Sequence, residues 1–318
     1  MLPLVRSAGP GWGFIPASAS PALQAVAMET TLAALRSYAD LTKPRLLPLV
    51  LLTGVPVFGL AAGGWPSLGF ALLTLLGIAL AAASANTLNS YLERDVDALM
   101  LRTQGRPVPA GRIAPPAALR FGVVLAVVST ALLWRVAGAP AAGLGLAGIL
   151  YYVFVYTLWI KPRSAWSAVI GGAAGAVAPL IADAAVNGSV GAPGLMLFAL
   201  VFFWQPPHVW AIALYRKRDY ANAGIPMMPS VIGDERTRWW MLLCIVALVP
   251  VSLAPVVLGL LGPVYLVVAL LANAWFIVSA LRLIRAGTDA AARSTFRVSL
   301  AYLFSLLLAM NAEILTRL

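Results

Sequence analysis

The sequence predicts an all-α polytopic membrane protein with nine transmembrane helices. Hydrophobic residues make up 61% of the 318 residues and charged residues only 10%, against about 25% charged residues in typical soluble domains. Uncharged stretches of about 20 apolar residues, the length that crosses a hydrocarbon core, recur along the chain. These observations exclude a soluble enzyme, a secreted disulfide scaffold and a disordered protein.

Charged joints and turn residues delimit the predicted spans. The expected helices cover residues 45–63, 67–92, 116–137, 141–160, 165–186, 194–215, 239–258, 263–284 and 294–316. Gly and Pro occur in several of the joints between them, which is typical of turns.

The positive charges predict the orientation of these spans. The basic joints are 93–115, 161–164, 216–238 and 285–293, and the joints between them hold no Lys or Arg. All Lys and Arg except Arg135 and Arg317 fall on the basic side. Because cytoplasmic loops carry the excess of Lys and Arg, we expect a cytoplasmic N-terminus and a periplasmic C-terminus.

The N-terminal lead, residues 1–39, is rich in Pro, Gly, Ala and Ser and lacks the basic start and apolar core of a signal peptide. We expect it to be cytoplasmic and mostly disordered, with a short helix near residues 30–38. Residues 40–318 then form the transmembrane domain. The lead has no evident transit peptide, which favours a bacterial inner membrane over the mitochondrial inner membrane.

Single residues exclude several kinds of site. Cys244 is the only cysteine and His208 the only histidine. The chain therefore cannot form an internal disulfide, a thiolate metal cluster or a two-histidine haem clamp.

The first chemically informative stretch lies at the end of the second span. Asn89, Glu93 and Asp97 are spaced i, i+4, i+8, which places their side chains on one face of a helix. Their oxygen atoms suit a hard cation such as Mg²⁺, which takes one or two carboxylates and fills the rest of its shell with water and phosphate oxygens. The alternative is a charged helix end that is simply solvated.

Cationic residues accompany this stretch on the same side of the membrane. Arg102 and Arg106 follow it closely, and Lys43 and Arg45 open the first span. Guanidinium groups bind phosphate through forked hydrogen bonds. The net charge of +11 therefore indicates cytoplasmic loops between the spans and a phosphate-rich ligand. We expect no nucleic-acid partner.

The second informative stretch belongs to the sixth span and the joint after it. Pro206 and Pro207 have no backbone N–H, so they break the backbone hydrogen-bond ladder within this span. Such a break is tolerated at membrane depth where it lines a cavity. The charged sequence Arg216-Lys217-Arg218-Asp219-Tyr220 follows two turns after His208. For Arg216–Arg218, ordinary positive-inside charge is the alternative interpretation.

His208 has three interpretations at this stage. It is a buried imidazole that braces the proline kink, a ligand of haem iron, or a group that handles a proton.

These residues resemble the UbiA-like intramembrane prenyltransferases. The motif Asn89-x-x-x-Glu93-x-x-x-Asp97 carries the resemblance to the superfamily. Three further features are similar to its protohaem IX farnesyltransferase (haem O synthase) branch. They are Leu41-Thr-Lys-Pro-Arg45, Arg102-Thr-x-x-Arg-Pro107, and Trp204-Gln-x-Pro-His208 followed by Tyr215-Arg-x-x-Asp-Tyr220-x-x-Ala-Gly-Ile-Pro-Met227. The match runs from about residue 40 to the C-terminus.

The resemblance implies a helix bundle around a central cavity, and a reaction in that cavity. Farnesyl diphosphate would ionise with the help of Mg²⁺ and cationic side chains, a vinyl group of haem B would attack the allylic cation, and water would complete haem O. Haem A synthase or a terminal oxidase is implied as an assembly partner.

The resemblance also assigns roles to residues. It implies Asn89, Glu93 and Asp97 as metal ligands and, with Asp219 and Tyr215, as catalytic residues. The implied substrate-binding residues are Lys43, Arg45, Arg102, Arg106, His208, Arg216, Lys217 and Tyr220.

Two departures from the family pattern bear on the chemistry. Glu93 stands where many members have Asp, and it can still ligate Mg²⁺. Relatives with aromatic substrates have two acids in the second motif, whereas here Arg216 and Tyr220 stand near those places and only Asp219 remains, so a second Mg²⁺ is not assigned. A quinone-ring or chlorophyll-type acceptor, and a membrane transporter or non-catalytic scaffold, are the alternative functions.

Overall fold

The computed structural model describes residues 21–316, and the regular structure in that range is entirely helical. The α-helices are α1 (Pro21–Leu41), α2 (Leu47–Ala61), α3 (Leu68–Leu92), α4 (Arg94–Ala98), α5 (Pro115–Leu150), α6 (Ser167–Gly175), α7 (Val177–Asn187), α8 (Ala192–Tyr215), α9 (Lys217–Asn222), α10 (Met228–Ile232), α11 (Asp234–Val257), α12 (Pro263–Ala286) and α13 (Asp289–Leu315). A π-helical segment, Tyr151–Ile160, continues α5.

The all-α membrane fold class is confirmed, but the count of nine spans is not. Within the described residues, seven helices are long and apolar enough to cross a membrane. Two differences explain the lower number. The first predicted span forms only the 15 residues of α2, and the third and fourth merge into one helical stretch of 46 residues, Pro115–Ile160.

That long stretch is nevertheless a hairpin rather than one rod. A straight helix of this length would reach about 69 Å, more than twice the hydrocarbon thickness of about 30 Å. Gly138 has φ +83° and ψ 177°, which interrupts the helix. A Cβ on Gly145 would lie 2.8 Å from Leu133 Cδ1, so the chain on the two sides of Gly138 packs face to face. The joint predicted at residues 138–140 is therefore the point where the chain reverses.

One other local prediction needs correction. The helix expected near residues 30–38 extends over all of α1, because Ala, Leu, Met and Glu favour helix and α1 contains no Gly and no Pro after its first residue. The described part of the lead is thus helical, although irregular chain was expected there. Residues 1–20 lie outside the described residues. The division of the chain at residue 39 stays a prediction. α8 runs through Pro206 and Pro207, as the predicted span 194–215 does.

Two buried acids hold helix ends together in the described structure. Asp183 Oδ2 accepts hydrogen bonds from the backbone N–H groups of Gly191 (2.7 Å) and Gly194 (2.9 Å) at the start of α8. Glu313 Oε2 accepts one from the N–H of Tyr265 at the start of α12, at 2.8 Å. Helix N-termini carry partial positive charge and unsatisfied donors, so each carboxylate completes a helix end.

Helix packing brings α8 next to the polar stretch that follows α3. α3 packs mainly on the α5 hairpin and also contacts the π-helical segment, while α8 contacts α6, α7, α11 and α13. Val209 and Ala213 of α8 belong to the same hydrophobic cluster as Val96 and Met100.

We expect Gly138→Ala to lower the thermal unfolding temperature of the detergent-purified protein. Gly138 occupies a backbone region that is essentially restricted to glycine, where a side chain costs about 1–3 kcal/mol. Gly143→Ala is the matched control, because a Cβ there meets nothing within 4 Å. Equal stability of the two variants would contradict the view that the hairpin requires glycine at residue 138.

Candidate functional site

A polar cavity of about 160 Å³ lies where the end of α3 meets the π-helical segment and the loop before α2. It is lined by Lys43, Asn89, Glu93, Asp97, Met100, Arg102, Arg106, Tyr152, Tyr156, Lys161, Ser167, Ala168, Val209, Tyr220 and Met227. The two stretches singled out in the sequence therefore meet at one cavity, the first through its acids and the second through Tyr220 and Met227.

Local helix geometry brings the three residues of the first motif onto one face. α3 ends at Leu92, but the N–H of Glu93 still donates to Asn89 O (2.9 Å) and that of Asp97 to Glu93 O (2.7 Å). The i→i−4 pattern thus continues across the junction with α4. All three side chains are buried and line the cavity.

Asp97 has one paired and one unpaired carboxylate oxygen. Oδ2 accepts a hydrogen bond from Arg106 Nη1 at 2.5 Å. Oδ1 is buried and has no hydrogen-bond partner. A buried acceptor without a partner costs about 1–3 kcal/mol, which is offset when a cation or a donor binds.

Glu93 pairs with Lys161, which the sequence indicated only as one of the positive charges between two predicted spans, in the segment 161–164. Lys161 Nζ donates to Glu93 Oε1. Burial alone would raise the pKa of Glu93, but the Lys161 ammonium outweighs this and the pKa is lowered. Burial alone would lower the pKa of Lys161, and Tyr156 and Glu93 raise it instead. Both groups are therefore charged at neutral pH.

A second ammonium group enters the cavity from the loop before α2. Lys43 Nζ donates to Asn89 Oδ1 at 2.8 Å, and Asn89 Nδ2 donates to Thr157 Oγ1 at 3.2 Å. Lys43 has φ +54° and is the one non-glycine residue with positive φ in the described part of the chain. Burial, reinforced by the Arg106 charge, lowers the pKa of Lys43 to about 7. Holding the Lys43 amino group in this cavity therefore costs backbone strain and desolvation.

The π-helical segment supplies the cavity residues that sequence reasoning missed. Its wider turns are visible where the N–H of Lys161 donates to Tyr156 O (2.9 Å) and Thr157 Oγ1 to Tyr152 O (2.8 Å), both five residues back. Such segments often mark functional sites. The available sequence signal was a Tyr-rich span that ends in a lysine on the basic side.

Several predicted site residues lie elsewhere. Arg45 is exposed and lines neither cavity described here. Lys217 pairs with Asp234 at 2.5 Å, and Arg216 lies 3.7 Å from buried Asp219. Tyr215 also lines neither cavity.

The contacts of Tyr215 explain its position. It packs edge-on against Phe296 with ring centroids 6.4 Å apart. The guanidinium of Arg216 lies 5.9 Å and that of Arg293 5.3 Å from its ring. Tyr215 therefore belongs to a packed aromatic and cationic cluster outside the polar cavity.

An apolar cavity of about 380 Å³ adjoins the polar one. The two cavities share the lining residues Tyr152, Tyr156, Ser167, Ala168 and Val209. No Asp, Glu, Lys or Arg lines the apolar cavity, whereas His208, Trp204 and Gln205 of α8 do. His208 is therefore a residue of the apolar cavity and not of the polar one.

The polar cavity suits a phosphate-rich ligand. Its lining holds Arg102, Arg106 and Lys161 against two carboxylates, Glu93 and Asp97, a surplus of 3 − 2 = 1 positive charge. Lys43, with a pKa of about 7, adds to this surplus in its protonated form. The described residues contain no group of three or more His, Cys, Asp or Glu that could hold a metal. An amide and two carboxylates, one with an unpartnered oxygen, fit a Mg²⁺ ion that takes its other ligands from phosphate and water.

Comparisons with known proteins agree with this arrangement. The family model described as the UbiA prenyltransferase family matches residues 49–307. A protoheme IX farnesyltransferase of Acidiphilium cryptum is 46% identical over 274 residues, covering 83% of this chain and 86% of that protein. One of Symbiobacterium thermophilum is 42% identical, covering 88% of this chain and 94% of that protein.

A third relative, a protoheme IX farnesyltransferase of Roseiflexus sp., is 43% identical over 88% of this chain. The chain spans only 52% of the length of that protein.

Solved structures share the fold. A structure of digeranylgeranylglyceryl phosphate synthase superposes with a TM-score of 0.75 at 17% identity, covering 89% of this chain and 99% of that one. A UbiA homolog from Archaeoglobus fulgidus bound to GPP and Mg²⁺ superposes with a TM-score of 0.59 at 20% identity, covering 86% of this chain and 99% of that one. Both the family match and the relatives cover most of the chain, which therefore belongs to the UbiA prenyltransferase family of multi-pass membrane enzymes.

Proposed function

We propose that this protein transfers the farnesyl group of farnesyl diphosphate to a vinyl group of haem B, giving haem O and diphosphate. The observation that carries the proposal is a polar cavity with surplus positive charge that adjoins an apolar cavity lined by no Asp, Glu, Lys or Arg. The names of the relatives from Acidiphilium and Symbiobacterium support the same donor and acceptor.

The polar cavity binds the diphosphate end of the donor. Departure of diphosphate leaves negative charge on its oxygens, and preorganised donors stabilise that charge as it develops. Arg102 and Arg106 offer planar forks to phosphate oxygens, and Lys43 and Lys161 offer compact ammonium groups. Arg106 and Lys161 are each held in place by a carboxylate before the ligand arrives.

Asn89, Glu93 and Asp97 would hold Mg²⁺ in this cavity. When bound, the ion supplies positive charge that neutralises the diphosphate group. Oδ1 of Asp97, which has no partner in the described structure, is the oxygen best placed to contribute.

The apolar cavity accommodates the allylic cation and the acceptor. A dry cavity prevents premature capture of a reactive cation by water, and aromatic rings attract positive charge. Tyr152 and Tyr156 line both cavities and so face the junction where the farnesyl carbon separates from diphosphate. Haem B, which has a planar and largely apolar porphyrin ring and two anionic propionate groups, is the acceptor in this proposal.

The remaining proposals concern the cell. The charge distribution favours a bacterial inner membrane with the polar cavity on the cytoplasmic side and the C-terminus in the periplasm. Haem A synthase or a terminal oxidase stays a predicted assembly partner. A quinone-ring or chlorophyll-type acceptor is the alternative within the family.

We expect the purified protein to convert farnesyl diphosphate and haem B to haem O in the presence of Mg²⁺, and Asp97→Ala to lower the turnover number by about 100-fold or more, because a charge-stabilising group is lost. Chromatography with mass spectrometry measures the product, and absorption spectroscopy shows haem binding, which we expect Asp97→Ala to leave intact.

Asp95→Ala is the matched control for this assay, since the Asp95 side chain on the same short helix is 85% exposed. Transfer of farnesyl to a quinone-ring acceptor but not to haem B would contradict the proposed acceptor. Near-normal turnover by Asp97→Ala would contradict the proposed role of the polar cavity.

We expect a reporter fused after Leu318 to be active when it is of a kind that works only in the periplasm, because all Lys and Arg except Arg135 and Arg317 lie on the opposite predicted side. A fusion within the joint 216–238 is the control and should favour a cytoplasmic reporter. The reverse pattern would overturn the orientation.

A further inference from the structure

A hydroxyl–imidazole pair links α13 to α8 at the apolar cavity. His208 Nδ1 lies 2.7 Å from Ser299 Oγ. The same hydroxyl donates to the backbone carbonyl of Phe296 on its own helix, at 2.7 Å. Together, the two contacts suit a hydrogen bond from Nδ1–H of His208 to the serine oxygen.

A serine hydroxyl carries a single hydrogen. Where Ser299 gives that hydrogen to Phe296 O, its oxygen accepts from Nδ1–H of His208. In that arrangement the neutral imidazole carries its proton on Nδ1, and Nε2 keeps its lone pair. When Nε2 takes up a proton, Nδ1–H still donates to Ser299, so one arrangement serves both charge states.

Packing against two aromatic rings fixes the plane of the imidazole. The ring stacks on Trp204 at 4.3 Å between centroids and lies 4.7 Å from Phe296. Trp204 Nε1 donates to Ser299 O at 2.7 Å. Ser299 thus contacts Trp204 through its backbone carbonyl and His208 through its hydroxyl.

Among the side chains that line the apolar cavity, the imidazole of His208 is the group that can act as a proton acceptor. The other polar side chains that line it are hydroxyl, phenol and amide groups, namely Thr53, Asn86, Tyr152, Tyr156, Ser167 and Gln205. None of these accepts a proton readily near neutral pH. Glu93 and Asp97 line the other cavity and are paired with Lys161 and Arg106.

The proposed reaction releases one proton in this cavity. The bond between farnesyl C1 and the diphosphate oxygen breaks, and the electron pair of the vinyl group forms a bond from its outer carbon to C1. Positive charge then rests on the inner vinyl carbon. The oxygen of a water molecule bonds to that carbon and must lose a proton to give the neutral hydroxyl of the product.

We propose that His208 Nε2 accepts this proton and that Ser299 is the positioning residue that keeps Nε2 unprotonated and fixed in the cavity. The inference rests on the proposed function, since it concerns the hydration step of that reaction. Gln205, which lines the same cavity one turn earlier on α8, offers an amide to the same water. The proton passes from His208 to solvent after the product forms.

Variants at both residues test the pair. His208→Asn keeps a donor near the Nδ1 position but removes the base, and we expect it to lower the turnover number for haem O by about 100-fold, since general base catalysis contributes about 10²–10⁴-fold. Ser299→Val removes the hydroxyl and should lower it by about 10-fold or more. Ser299→Thr, nearly identical in shape to the valine variant, should restore most of the rate.

Three readouts separate this role from a structural or iron-binding one. The KM for farnesyl diphosphate and the Soret band of bound haem B should be the same in the wild type, His208→Asn and Ser299→Val. Ser305→Ala is the control for the loss of a helix hydroxyl, because Ser305 Oγ donates to Tyr302 O at 2.9 Å in the same manner. It should retain the wild-type rate.

A shifted Soret band in His208→Asn would overturn the proposal, because the imidazole would then be a ligand of haem iron. Wild-type turnover in His208→Asn would overturn it too, and equal rates for Ser299→Val and Ser299→Thr would overturn the role of Ser299. Wild-type protein that forms no haem O would instead contradict the proposed function.

Discussion

The structure depends on burying opposite charges together at the end of the membrane-spanning region. Isolated carboxylates at this depth are expensive, and breaking a buried ion pair is strongly destabilising because the remaining charge has no partner. Glu93 and Asp97 are both buried, and each is matched by a cation from another part of the chain, Lys161 and Arg106. These pairs join the end of α3 to the π-helical segment and to the loop after α4.

Under the proposed function, the same pairs would prepare the site for its ligand. Arg106 and Lys161 are already held by carboxylates, so little side-chain ordering would remain to be done on binding diphosphate. Asp97 keeps one oxygen without a partner, and Lys43 is held in a strained, desolvated position. In the proposed function, an anion and a cation would supply the partners that these groups lack.

Much of this organisation was predictable from the sequence, because it rests on local periodicity. The spacing of Asn89, Glu93 and Asp97 indicated a shared face, and helical hydrogen bonding across the α3–α4 junction maintains it. The apolar spans indicated the fold class, and the boundary between the third and fourth predicted spans was placed at residues 138–140, where the chain reverses. The bounds of α3, α8 and α12 differ from the predicted ones by at most two residues.

The remaining features depend on contacts between residues that are distant in the chain. The partnership of Lys161 with Glu93 spans 68 residues and that of His208 with Ser299 spans 91, and no local pattern indicates either. Lys217 was grouped with the phosphate-binding residues by its neighbours in sequence, yet it pairs with Asp234.

The most direct test of this account is the affinity for a non-reactive thiodiphosphate analogue of farnesyl diphosphate, measured by calorimetry with and without Mg²⁺. In the wild type and in the control Asp95→Asn, Mg²⁺ should tighten binding. In Asp97→Asn, which keeps the size of the side chain but lacks its charge, that dependence should be lost while some binding to the cations remains. The same Mg²⁺ dependence in Asp97→Asn and the wild type would contradict the central role given to the buried charges of the polar cavity.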